Sequence, residues 1–238
     1  MSESGTRLFA RYAYPPNALG YCGPEGASVL LRADATAEIA ARARAFDGAW
    51  AYLEFIAGAA GIADPLDSRV VEAYWIGNDL LDRVRPAELT AFLRHRFAGQ
   101  AGGTWSSAQE RAMAHHSFHV FEVYPWLELL QRTGSPAAVS VLDRCRIRTG
   151  VVTAVHGPTA TVVSRPLIWA GGALDHGPPS EEVARSLPRE VEPGDRVALH
   201  WDWICDILTE SQQSALERHE QHRIAAVTRG SGAGPRRP

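Results

Sequence analysis

The sequence contains no lysine: its 24 basic residues are all arginine, set against 27 acidic ones for a formal net charge of −3. So complete an absence reads as the base composition of the gene. The slight acidic excess gives no general attraction to a phosphate backbone, so nucleic acid is not an expected partner. Cysteine is scarce, and Cys22, Cys145 and Cys205 are too few and too scattered for a disulfide framework; they read as reduced thiols. No apolar run approaches the roughly 20 residues of a membrane span. The opening MSESGTRLFARY has neither the charged nor the apolar region of a signal peptide. A cytoplasmic protein with no membrane partner is the expectation. What the chain does have is 45% hydrophobic content over 238 residues, enough for one sizeable core or two smaller ones.

The pattern changes character near residue 138. Before it, the punctuation is helical. After an irregular arm over residues 1–33, DATAEIAARARAF opens on Asp34 as a candidate cap, and AWAYLEFIAGAAG stops at Gly61. DPLDSRVVEAYWIG has Asp64 as cap, Pro65 at the first helical position and Gly77 at the exit. RPAELTAFLRHRFAG runs from Pro86 to Gly99, and Ser107 with Glu110 forms a capping box ahead of AMAHHSFHVFEV. Pro125 should kink or end that helix, with one more turn up to Gly134. Beyond residue 138, RIRTGVVTAVHGPTATVVSRPLIWAGGAL is rich in β-branched residues, with turns at Gly157-Pro158 and Gly171-Gly172. EPGDRVALHWDWI adds a strand, and Thr209 and Gln212 box the start of a last helix. The fold class read from this is α+β: an all-α helical domain over 1–138, then a domain of hairpin-linked strands with a C-terminal helix over 139–228. Residues 229–238 read as a disordered tail.

Cys145 stands at the expected mouth of the first strand, with Gly150 five positions on and the pattern Gly194-Asp195-x-Val197-x-x-His200 further along. This order resembles the HypC-type chaperones of nickel-iron hydrogenase assembly, over about the last 90 residues. CRIRTG is similar to the family's cysteine-to-glycine motif, and GDRVALHWDWI to its later Gly-Asp motif, with Trp203 at the aromatic position. The resemblance implies that the strands over 139–228 form a small OB-like β-barrel, with Cys145 and His200 as cofactor-binding residues and an iron precursor carrying cyanide and carbon monoxide. It also implies hydrogenase maturation proteins or a hydrogenase large subunit as partners. Three features depart from the family: Cys145 is internal and has no α-amine beside it, Thr149 replaces the proline before the glycine, and Trp201-Asp202 replaces the glycine after the histidine.

The chemistry of the pair is coherent with that reading. A thiolate is a soft donor suited to low-valent iron, and a neutral imidazole can be a second ligand or hold a proton nearby. Arg144, Arg146 and Arg148 would favour the thiolate if they lie close. The plainer reading makes Cys145 a small buried hydrophobe and His200 a strand histidine.

A second constellation, His115, His119 and Glu122, falls at i, i+4 and i+7, one face of a helix, and offers two imidazoles and a carboxylate to a transition metal. His116 lies about 100° round that helix and can pair with His119 instead. Cys22, within GYCGP, reads as a turn residue and Cys205 as a core one. Three functions therefore compete: a non-enzymatic assembly factor acting through Cys145 and His200, a metalloenzyme using the His115/His119/Glu122 face, and an OB-like nucleic-acid binder stacking bases on Trp201 and Trp203. The acidic balance weighs against the third.

Overall fold

The computed structural model describes residues 4–98, 109–187 and 190–231. Its first helix, α1 (Gly5–Ala18), runs through Pro15 and Pro16 and replaces the irregular arm expected there. Proline inside a helix removes one ladder hydrogen bond but not the burial of the face beneath it. Leu8, Phe9, Tyr12 and Ala13 are all buried on that face, each large apolar side chain contributing about 1.5–3 kcal/mol when sealed from water. α2 (Thr36–Ala43) starts without a side-chain cap, and Asp34, expected to supply one, pairs with Arg32 instead. α3 (Asp47–Ala60) ends as read, on Gly61 in the left-handed conformation. α4 (Ser68–Trp75) begins three residues later than expected, leaving Pro65 outside the helix: Asp67 accepts from the Arg69 N–H, while Asp64 turns the chain by accepting from Leu66 N–H. α5 (Pro86–Arg96) has its proline at the first position. The Gly99 exit and Ser107 of the expected capping box lie outside the described residues.

The next segment departs most from a regular helix. His115 is extended, and α6 (His116–Phe118) is a single turn. A π turn over His119–Val123 follows, closed by the Tyr124 N–H on the His119 carbonyl, with Pro125 preventing continuation. α7 (Trp126–Thr133) stops at left-handed Gly134. Ser135 then caps α8 (Pro136–Cys145), so the expected boundary at 138/139 falls inside a helix and Cys145 ends that helix instead of opening a strand.

The strands are β1 (Arg148–His156), β2 (Thr159–Ser164), β3 (Leu167–Ala170), β4 (Ala173–His176), β5 (Ser180–Ser186), β6 (Arg196–His200) and β7 (Trp203–Ile207). Five close a barrel in the order β1-β2-β5-β7-β6, with β6 returning to β1 and β3-β4 standing apart as a hairpin. All barrel pairings are antiparallel except β5 with β7. A closed five-stranded barrel of this kind is the small OB-like barrel that the resemblance implied. Val152, Ala160, Val162, Val197, Leu199 and Ile204 fill the barrel. The reciprocal Thr209/Gln212 box caps α9 (Glu210–Ser231). α9 therefore extends into the expected tail at 229–231, and residues 232–238 lie outside the described residues.

A larger core joins the two halves. Phe9, Tyr12, Leu53, Ile56 and Trp75 of the helices share one apolar cluster with Ile147, Ala198, Cys205, Leu208 and Leu216 of the barrel and its helix. Arg11 of α1 donates from Nε to the Cys205 carbonyl at 2.7 Å and pairs with Asp206 at 3.0 Å. Among the described residues no helix is long and apolar enough to cross a membrane.

Gly150 sits where β1 crosses the barrel interior. A Cβ there would come within 2.4 Å of the Val162 Cγ1 and 3.2 Å of the Leu199 Cδ1. We expect Gly150→Ala to destabilise the protein by about 1–3 kcal/mol through overpacking, read as a lower urea midpoint with unchanged slope. An unchanged midpoint would mean that the barrel packs more loosely than described.

Candidate functional site

Cys145 and His200 do come together, and the backbone explains how. The Trp201 N–H donates to the Arg144 carbonyl at 2.8 Å, and Arg148 donates to the Trp201 carbonyl at 2.9 Å. The end of α8 is thereby tied to the β6–β7 turn. Trp201 is the described non-glycine residue with positive φ, 54°, and it packs on Tyr21 with ring centroids 4.3 Å apart. Trp201 and Trp203 thus flank a turn and do not share one strand face; Trp203 packs edge-on against Tyr14.

His200 is oriented from the other half of the molecule. Its Nδ1 lies 2.7 Å from the Tyr12 carbonyl oxygen, so Nδ1 carries the proton and donates. That carbonyl is available because its helical partner four residues on is Pro16, which has no N–H. The donation leaves the lone pair on Nε2, which is buried with no hydrogen-bond partner. Burial holds the ring well below its ordinary pKa, the neighbouring His116 adds to this, and the nearby Cys145 carbonyl opposes it.

His116 is the third member; the sequence reading offered it only as an alternative partner of His119. Its Nε2–H donates to the Cys145 carbonyl at 2.9 Å, and its Nδ1 accepts from the Tyr74 hydroxyl at 3.2 Å. The His116 and His200 rings meet edge to face at 5.2 Å. Trp75 lies against both at 4.6 and 5.9 Å, itself stacked on Tyr12 at 5.4 Å. One ligand atom from each of His116, Cys145 and His200 lies within 4.8 Å of the others, and all three residues are buried. Among the described residues this is where such donors converge. The only sequence signal for His116 was the His-His doublet itself.

The arginines do not do what their proximity in sequence suggested. Arg144 pairs with Asp202, Arg146 with Asp143 and Glu220, and Arg148 with Glu182. Burial pushes the Cys145 thiol up from its ordinary value, and the nearby Cys22 adds to the shift. Cys145 is therefore a protonated thiol in an apolar wall. Cys205 lies in the core, as read.

The expected His115/His119/Glu122 face does not form, because extended His115 and the π turn destroy the helical phase. His115 Nδ1 accepts from the Ser117 N–H, and its ring faces His219 of α9 at 5.0 Å. His119 Nδ1 lies 3.4 Å from the Tyr52 hydroxyl. Glu122 is fully buried in an ion cluster: Arg111 Nε donates to it at 2.7 Å and Arg223 at 3.1 Å. Both carboxylate oxygens are engaged by arginine, so the group is a clamp between the 109–111 turn, the π turn and α9.

Residues 1–233 match a family of unknown function, DUF6390. The chain belongs to that family. No curated protein matches it, and no solved structure does. The DUF6390 match runs through the helical half as well as the barrel, and so includes every donor of the buried group.

Two predictions follow from the buried charges and imidazoles of this DUF6390 chain. Glu122→Gln leaves Arg223 and Arg111 uncompensated and should cost about 3 kcal/mol, seen in urea denaturation, with no change in any metal the protein holds. A loss of metal at unchanged stability would restore Glu122 as a ligand. Burial holds His116 at about 4 and His119 at about 3, below their ordinary 6.5. Below pH 6.5 the unfolded chain binds protons that the folded chain refuses. Stability is therefore complete above about pH 7 and falls with acidification by up to about 1.4 kcal/mol per pH unit for each ring. Urea midpoints between pH 7.5 and 5 measure this, and a flat profile would contradict neutral buried imidazoles.

Proposed function

We propose that this protein is a cytoplasmic accessory factor of nickel-iron hydrogenase assembly, holding or shielding an iron-containing precursor at Cys145 and His200 with His116 as third donor. It would dock on maturation proteins or on a hydrogenase large subunit. The observation that carries the reading is the convergence of one thiol and two imidazoles in a buried pocket whose His200 Nε2 has no other partner. The OB-like closure agrees with the fold implied by the Cys145 and Gly194-Asp195 motifs.

The donor set fits the cargo. A thiol that loses its proton becomes a soft ligand, and a neutral imidazole fixed by a carbonyl on its far nitrogen is a pre-oriented one. His116 joins by exchanging its Tyr74 hydrogen bond at Nδ1. Beside Cys145 and His116 a partly open cavity of about 160 Å³, walled by Tyr74, Trp75 and Tyr124, leaves space for non-protein ligands. The cargo would supply low-valent iron already carrying cyanide and carbon monoxide. Because the thiol must give up a proton from an apolar wall, retention should strengthen as pH rises.

The alternative, a metalloenzyme built on His115, His119 and Glu122, has no such gathering of donors to support it. For the nucleic-acid reading, Trp201 is buried against Tyr21 and unavailable for stacking.

Protein purified without oxygen from its native host should contain iron and show infrared bands of iron-bound cyanide or carbon monoxide. Cys145→Ala and His200→Ala should each lower iron content by about 10-fold or more, and Cys145→Ala should fail to support cofactor assembly in a deletion strain. Wild-type protein free of iron and of those bands, together with full complementation by Cys145→Ala, would refute the reading.

A further inference from the structure

Cys22 and His119 stand apart from the buried group yet border the same cavity. An open basin of about 680 Å³ is lined in part by Cys22, Asp47, Gly48, Arg96, His119 and Tyr124. The partly open cavity of about 160 Å³ shares Cys22, Gly48, His119 and Tyr124 with it and continues to His116 and Cys145. A path from outside to the buried donors therefore passes one thiol and one imidazole.

Both groups are held there by specific contacts. The Asn17 side chain, itself buried, donates to the carbonyls of Cys22 and Pro24, each at 2.8 Å, fixing the GYCGP loop to the end of α1. Gly23 lets the loop pass with φ of 80°, and a Cβ there would strike the Phe46 ring at 2.2 Å. Among the three cysteines Cys22 is the half-buried one, and the other two are buried. His119 is 4% exposed, and its Nε2 has no hydrogen-bond partner. In the tautomer that carries its proton on Nδ1, facing the Tyr52 hydroxyl at 3.4 Å, the unpaired Nε2 is an acceptor, cheaper to leave open than an N–H. That nitrogen faces Gly48, where a Cβ would come within 2.7 Å of it. Glycine at that position on α3 leaves the approach to the lone pair clear.

We infer that Cys22 and His119 form an outer thiol–imidazole station, through which a thiophilic first-row metal cation passes between solvent and the inner His116–Cys145–His200 group. The inner endpoint of this path rests on the function proposed above, whereas the outer pair stands on its own geometry. No group is transferred covalently: the cation exchanges water for a thiolate and an imidazole, and the Cys22 proton leaves to solvent.

The test uses metal-free full-length protein under anaerobic conditions with cobalt(II) as probe. Iodoacetamide labelling followed by mass spectrometry should modify Cys22 first, and cobalt should slow that labelling by about 10-fold in both wild type and Cys145→Ser. In stopped flow, the thiolate–cobalt absorption of the inner group should appear about 10-fold more slowly in Cys22→Ser and in His119→Gln while reaching the wild-type endpoint. Cys22→Ser alters a half-buried loop residue and so supplies the kinetic result even where His119→Gln folds poorly. Labelling of Cys22 untouched by cobalt, or both variants loading at the wild-type rate, would overturn the station. Protection of Cys22 in wild type and Cys145→Ser with no inner absorption would uphold the pair and sink the inner-site reading instead.

Discussion

One hydrogen bond ties the site to the fold: the His200 Nδ1–H on the carbonyl of Tyr12. Pro16 removes the donor that a regular helix would have supplied, and a buried carbonyl left empty would cost about 1–3 kcal/mol. His200 fills that vacancy from the end of β6, and the same act points its other nitrogen at Cys145 and His116. A backbone defect in the first helix is thereby converted into the orientation of a side chain from the barrel. Trp75, packed between Tyr12 and both imidazoles, keeps the arrangement in an apolar frame.

Around this link, charge is managed by pairing within the interior. Glu122 is shared by two arginines, and Arg146 spans Asp143 and Glu220. Burial still pulls Arg146 and Arg223 down to about 10, low for guanidinium but far above neutrality, so both remain charged. Buried pairs of this kind give modest net stability and strong geometric definition. Here they fix α9 and the π turn against each other. The imidazoles of His116 and His200 are kept neutral by burial itself.

Local chemistry made much of the fold legible. The stops at Gly61, Gly77 and Gly134, the turns at Gly157-Pro158 and Gly171-Gly172, and the Thr209/Gln212 box each depend on a few neighbouring residues. What was illegible depends on partners far along the chain. Residues 1–33 read as an irregular arm, because the His200 that compensates for Pro16 is remote. Arg146 and Arg148 read as neighbours of a thiolate because Glu220 and Glu182 were not visible as competitors. His115, His119 and Glu122 read as one face because the π turn has no signature beyond Pro125. Cys145 and His200 were picked out by motif, but His116 required the folded chain to bring it within reach.

The Tyr12–His200 link also has a consequence in time. During synthesis the helical segment leaves the ribosome first, carrying a backbone oxygen it cannot satisfy and an aromatic pocket with one wall missing. Only after residue 200 has emerged can that pocket close. A donor group completed by the last strands is one that a half-made chain cannot assemble.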